Sequence, residues 1–109
     1  MKIIRYGSVI NDLIVDYLKN KDLKLYLLDN SRNKLNIGSG NLEIEHESIV
    51  NKEKISFNNA SDNDIEINYC QIECNNDMFF IIELDDKIIL EPNKKIELNK
   101  NSIRINIGF

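Results

Sequence analysis

The last seven residues of the chain alternate between apolar and polar or small side chains. The apolar parity holds Ile103, Ile105, Ile107 and Phe109. Because successive side chains of a strand point to opposite faces of its sheet, this pattern predicts a strand with one buried face. Residues 95–99 alternate in the same way, and the polar residues 99–102 lie between the two runs. We therefore predict that these two strands form a hairpin.

Residues 78–84 are apolar at both parities. An apolar run on both faces is typical of a central strand, covered on both sides. Asp85 and Asp86 are predicted to end this strand. Residues 88–90 are then predicted to form a separate short strand before a turn at Pro92, since proline presets φ and cannot donate to a ladder.

The apolar run at residues 65–74 changes parity along its length. Its first half places Ile65, Ile67 and Tyr69 on one face, and its second half places Cys70, Ile72 and Cys74 on the other. A slip of this kind predicts a β-bulge near Tyr69. The polar residues 75–77 are predicted to turn the chain into a hairpin with the strand that follows.

Shorter alternating runs fill the first half of the chain. Residues 23–27 predict a strand, with residues 35–37 as a hairpin partner, and residues 55–57 begin another strand before the polar loop 58–64. A further strand alternates Leu42, Ile44 and His46 with Glu43, Glu45 and Glu47. Residues 49–50 are predicted to extend it, and its glutamates are predicted to form a carboxylate row that faces water.

Residues 10–18 favour a short amphipathic helix. One helical stripe would hold Ile10, Leu13, Ile14, Tyr17 and Leu18. Asp12 and Asp16 fall on the opposite side, whereas Val15 lies off the stripe. The β-branched side chains leave open a strand at residues 13–18 as the alternative. A short strand is predicted before this segment, at residues 2–6.

Many short strands, turn residues between them and little helix predict the fold class. We expect a single domain over residues 1–109: an all-β antiparallel sandwich or small barrel with one short N-terminal helix. The strand rhythm resembles that of small immunoglobulin-like sandwich modules, including those found in tailed-phage particles. That resemblance implies an immunoglobulin-like fold and a structural role in such a particle.

Charge and hydropathy narrow the classes of partner. The chain has 14 basic and 18 acidic residues, a net charge of −4, and the two signs are interleaved. Nucleic acid is not an expected partner, because phosphate binding needs a concentrated basic face. The first residues contain charged side chains and lack the continuous apolar run of a signal peptide, and no stretch is apolar enough to span a membrane. We therefore expect a cytoplasmic protein.

Metal and disulfide chemistry are not expected. Four residues along a strand separate Cys70 from Cys74 by roughly 13 Å, whereas the Cα atoms of a disulfide lie within about 7 Å. The two are predicted to be free thiols, and together with His46 they leave a zinc site short of a ligand. The loop that begins at Asp29 lacks both the glycine and the glutamate of a calcium loop, and the loop that begins at Asp62 has Ile67 where the glycine is needed. No cofactor is predicted.

No nucleophile or base signature accompanies His46, the only histidine. We therefore expect a non-enzymatic module of assembly or protein binding that joins copies of itself, as a homo-oligomer, or a larger assembly. Candidate interface residues are Ile103, Ile105, Ile107 and Phe109 of the last strand and Glu43, Glu45 and Glu47 of the acidic strand. Two alternatives stay open: a small inhibitor whose acidic strand or a loop fills a basic groove of a host enzyme, and a small-ligand binder.

Overall fold

The computed structural model describes residues 14–106. Within this range a short helix, α1, at residues 14–18 precedes eight strands. The strands are β1 (Leu23–Leu28), β2 (Gly40–Glu45), β3 (Ser48–Val50), β4 (Ile55–Asn58), β5 (Ile65–Cys74), β6 (Asp77–Leu90), β7 (Lys95–Leu98) and β8 (Arg104–Asn106). The pairings among them are antiparallel. The predicted all-β antiparallel fold with one short N-terminal helix is confirmed.

Two sheets contain these strands. Six strands form one sheet in the order β6-β5-β1-β2-β3-β8, and β4 pairs with β7 in a second, two-stranded sheet. The larger sheet curls into a half-barrel. β1 lies between β2 and β5, and its residues are buried or half-buried throughout, as expected of a strand with neighbours on both sides.

The hydrophobic core lies between the large sheet, α1 and β4. Every second residue of β1 points into it, as the alternation at residues 23–27 predicts. The buried core residues are Leu18, Leu23, Leu25, Leu27, Ile37, Leu42, Ile49, Ile55, Phe57, Ile67, Ile72, Cys74 and Leu90. Phe57 is fully buried. Burial of a side chain of that size contributes about 1.5 to 3 kcal/mol. The two inward residues of β4, Ile55 and Phe57, therefore help to hold this strand against the large sheet.

The pairing of β5 with β6 confirms two predictions. Its register shifts between Ile67 and Tyr69, so the predicted irregularity near Tyr69 is present. Asn75 and Asn76 form the two-residue turn between the strands, with φ of 51° and 71°. Asparagine tolerates this left-handed conformation better than most residues, which explains why the sequence turns there.

The predicted hairpin of residues 95–99 with residues 103–109 is wrong. β7 pairs with β4, and β8 pairs with β3. The buried side chain of Asn51 accounts for the separation: its Oδ1 accepts a hydrogen bond from the Ile103 N–H at 2.8 Å, and its Nδ2 donates to the Asn99 carbonyl at 2.7 Å. These bonds hold the segment between β7 and β8 at the end of β3. β8 therefore pairs with β3.

Two other predicted strands have different bounds in the structure. Residues 49–50 do not extend β2, because His46 and Glu47 turn the chain and β3 returns antiparallel beside it. Residues 88–90 are not a separate strand, because β6 runs from Asp77 to Leu90 across an irregular stretch where three extra residues face β5. Asp85 and Asp86 lie within that stretch and do not end the strand.

The predicted position of β6 is also wrong. Its two-sided apolar pattern indicated a central strand, whereas the structure places β6 at one end of the six-stranded sheet. The predicted strand at residues 35–37 is absent from the described part of the chain. Its backbone pairing with β1 is limited to a bridge between Leu28 and Lys34 and a hydrogen bond from the Leu35 N–H to the Leu27 carbonyl, since β2 and β5 flank β1.

The helix at residues 14–18 replaces the alternative of a strand there. Leu18 is buried and Ile14 half-buried, in agreement with the predicted stripe. Tyr17 does not follow that stripe: it is 60% exposed, whereas Val15 is buried. The helix is thus rotated toward Val15, a smaller side chain that fits closer to the sheet. Ile10, Leu13 and the predicted strand at residues 2–6 lie outside the described residues.

Candidate functional site

The candidate interface strand, β8, lies at an end of the large sheet. Ile103, just before it, and Ile105, within it, are half-buried and pack against the core, so their side chains mainly serve the protein's own fold. Ile107 and Phe109 lie outside the described residues. The three described residues of β8 pair with β3. Ile105 is the half-buried residue in the middle, and Arg104 on one side of it is exposed.

The predicted carboxylate row is interrupted at its centre. Glu43 is exposed on β2, and Glu47 is exposed in the turn after it. Glu45 lies between them and is bound by two cations: Lys52 Nζ is 2.8 Å from its Oε2, and Arg104 Nη2 is 3.6 Å away. The hydrogen bond from Lys52, reinforced by both positive charges, lowers the pKa of Glu45. The structure therefore does not present three free carboxylates to a basic groove.

His46 shares the parity of Leu42 and Ile44 but does not point into the core. It is exposed in the turn between β2 and β3, with a φ of 56°. An open cleft of about 730 Å³ beside it is lined by Val15, Lys19, Ile44, Glu47, Ser48 and Asn106. The hydroxyl of Ser48 donates to Asn106 Oδ1 at 2.6 Å, so the nearest nucleophile type is directed at an amide and not at the imidazole.

Both cysteines are free, as predicted. Cys74 is buried in the core and Cys70 is half-buried on the same side of β5. Burial raises the pKa of both thiols, because an apolar environment disfavours the thiolate. Over residues 14–106, no three or more His, Cys, Asp or Glu side chains come together in a way that could hold a metal ion.

The outer edge of β6 is a feature that the sequence did not predict. β6 has 14 residues and pairs with β5 on one side, and no strand of residues 14–106 pairs with it on the other. Four of its large apolar side chains are exposed: Met78 by 60%, Phe79 by 40%, Ile88 by 41% and Ile89 by 46%. An open strand with exposed apolar side chains is a common feature of docking surfaces.

The register of β6 against β5 explains the exposure of Phe79. Phe80 opposes the buried Ile72 of β5 and is half-buried against the core, whereas Ile81 opposes Gln71 on the other face. Phe79 falls at a register shift and has no partner on β5. Its ring meets the ring of Phe80 edge-on, with 5.1 Å between centroids. An apolar run at both parities could have indicated this surface, but the same pattern is typical of a central strand.

Comparisons with protein-family models, with curated proteins and with solved structures found no match to this chain. The helix that the structure describes in residues 14–106 is too short to cross a membrane.

Proposed function

We propose that this chain is a non-enzymatic protein-binding module that joins a partner by strand addition at the outer edge of β6. In this mode an extended segment pairs with the open backbone of an edge strand, and its side chains contact those that alternate along the edge. The observation that carries the proposal is the exposure of Met78, Phe79, Ile88 and Ile89 on a strand whose outer side pairs with no other strand of residues 14–106.

Length and composition favour β6 over the other end of the sheet. β6 offers 14 residues, whereas β8 has three described ones. An exposed side chain on β8, Arg104, already forms an ion pair with Glu45. Main-chain hydrogen bonds to an added strand accumulate with length, and the apolar side chains on β6 would lose water on docking. A longer, more apolar edge therefore supports tighter binding.

A role without catalysis is supported by the character of the clefts. The only histidine is exposed in a turn, and the cleft beside it is open to solvent. Enzyme and ligand sites usually enclose most of their ligand and direct several polar groups at one point. The cleft at His46 does neither.

The proposal has two more specific forms. In one, the partner belongs to a larger particle of which this chain is a small structural subunit, as in a phage-type assembly. In the other, the chain binds and inhibits a single enzyme. The second form has less support, because Lys52 and Arg104 neutralise Glu45 at the centre of the acidic row that would enter a basic groove.

The test is a native mass measurement of the protein purified from its own source. The double variant F79T/I89T replaces two exposed apolar side chains by a polar residue that keeps a high strand propensity. The matched control is Y17Q, which removes an exposed aromatic side chain from α1. We expect a stoichiometric protein partner with the wild type and with Y17Q, and its loss with F79T/I89T at an unchanged unfolding midpoint.

A wild-type protein that is recovered as a free monomer would contradict the proposal. Equal recovery of the partner with F79T/I89T and the wild type would also contradict it, because the contact would then lie elsewhere.

A further inference from the structure

We infer that the segment which docks on β6 belongs to a different protein and carries lysine or arginine side chains beside its apolar ones. This inference rests on the proposed function and adds the chemistry of the partner. It comes from the charges along the same strand, which disfavour the two self-pairings that best align the apolar residues and leave carboxylates without a cation among residues 14–106.

The carboxylates of β6 are exposed and unpaired in the described part of the chain. Asp77, Glu83, Asp85 and Asp86 are all exposed, and the ion pairs found in residues 14–106 include none of them. The one cation of the strand, Lys87, is engaged elsewhere: its Nζ lies 3.0 Å from Glu66 Oε1 of β5. The edge therefore presents an excess of negative charge among its apolar side chains.

Two ways of pairing β6 with a second copy would place these carboxylates opposite each other. In an antiparallel pair of identical strands related by a two-fold axis, one residue of each strand lies at the axis. A residue a given number of positions before it faces the residue the same number of positions after it in the other copy. Centring the pair on Phe80 places Asp77 opposite Glu83, and centring it on Ile81 places Asp77 opposite Asp85. Both registers align the apolar part of the strand, and both bring like charges together, which destabilises a sheet.

The same charges favour a basic partner. A cross-strand pair of opposite charges stabilises an antiparallel ladder, and charge complementarity also steers the encounter and excludes wrong partners. The acidic end at Glu83, Asp85 and Asp86 thus has two effects: it disfavours these two pairings between copies of this chain, and it favours a strand with cations at the facing positions. Apolar side chains of the partner's strand would cover Met78 and Phe79 of β6.

The test is a selection from a randomised peptide display library against the wild-type protein. We expect the enriched peptides to combine lysine or arginine with β-branched or aromatic residues. Their affinity should fall about tenfold or more for the charge-reversed variant E83K/D85K, the change that loss of one or two favourable charge pairs produces. The matched control is D62K/D64K, which makes the same change of net charge in the exposed loop before β5 and should bind as the wild type does.

Three results would overturn the inference, and they separate it from the proposed function. Enriched peptides without a basic bias that still lose affinity on F79T/I89T would leave the docking edge in place and refute the basic partner. Self-association of the wild-type protein that F79T/I89T abolishes would identify the occupant as a second copy. No enrichment over a bare surface would refute both the docking edge and its basic partner.

Discussion

Gly40 of β2 lies directly against the side chain of Ile55 in β4, and a Cβ atom at Gly40 would overlap that side chain. This close approach joins the two-stranded sheet to the large one. We expect G40A to lower the free energy of unfolding by about 1 to 3 kcal/mol, as overpacking of a tight core does. Urea unfolding followed by circular dichroism measures it.

The matched background for this experiment is I55A, which removes the side chain that the new methyl would meet. I55A is itself destabilising, but G40A should cost little more in that background, because the two sites are in contact and their effects are not additive. An unchanged cost of G40A in both backgrounds would show that the strain arises elsewhere.

Glu73 of β5 is a buried carboxylate whose partners come from the loop after β1 and from its own strand. Lys34 Nζ forms an ion pair with its Oε2, and Gln71 Nε2 donates to the same oxygen at 2.9 Å. Lys34 also lies 4.1 Å from the centre of the Tyr26 ring. K34M should destabilise the protein by about 1 to 3 kcal/mol, because the buried carboxylate of Glu73 loses its charged partner. The cost is smaller than for a fully buried pair, because Lys34 is itself partly in water.

The double variant K34M/E73M is the control for this pair. It removes the buried charge together with its partner, so we expect it to recover most of the stability that K34M loses. Thermal unfolding at neutral pH compares the three proteins. If K34M/E73M is less stable than K34M, the pair does not act as the structure indicates.

Asn59 closes the turn after β4 from a fully buried position. Its Nδ2 donates to the Leu90 carbonyl at 2.8 Å and to the Asn63 carbonyl at 2.7 Å, and its Oδ1 accepts from the Ser61 N–H at 2.9 Å. N59A should cost about 2 to 4 kcal/mol, because the Leu90 carbonyl loses the donor of a buried hydrogen bond and the turn loses its other two bonds to Asn59. The exposed neighbour provides the control: N58A should change the unfolding midpoint little, and an equal cost of both would contradict this role of Asn59.

Cys70 and Cys74 should both be free thiols that differ in how accessible they are to a reagent. Burial raises the pKa of both Cys70 and Cys74, so the reactive thiolate is scarce at neutral pH in the folded protein. We expect slow alkylation of the native protein, with half-buried Cys70 ahead of buried Cys74, and rapid alkylation of both after denaturation without reductant. Intact mass measures this, and a denatured protein that takes up no label would reveal a disulfide.

Alternation in the sequence predicted which side chains face the core, because the period of two is a local property of a strand. It placed the inward residues of β1 and β4 correctly, and the parity change in β5 located the irregularity before Tyr69. It did not predict partners. β7 and β8 alternate as two hairpin strands would, yet they pair with β4 and β3.

The missed features depend on contacts between residues far apart in the chain. Asn51 and Asn59 look like ordinary loop residues, and their burial follows only from carbonyls contributed by Asn99 and Leu90. The outer edge of β6 was missed for the same reason. An apolar run on both faces indicates that both faces can be covered, but the position of a strand within a sheet is set by the order in which all the strands pair.

The most direct test of the docking edge is amide hydrogen exchange along residues 77–83 of β6, in the isolated protein and in the native complex. The amides of this segment that do not bond to β5 should exchange quickly in the isolated protein and become protected in the complex, while the exchange of β1 stays the same. Protection of these amides already in the isolated monomer, or new protection at β8 with none at β6, would contradict the account.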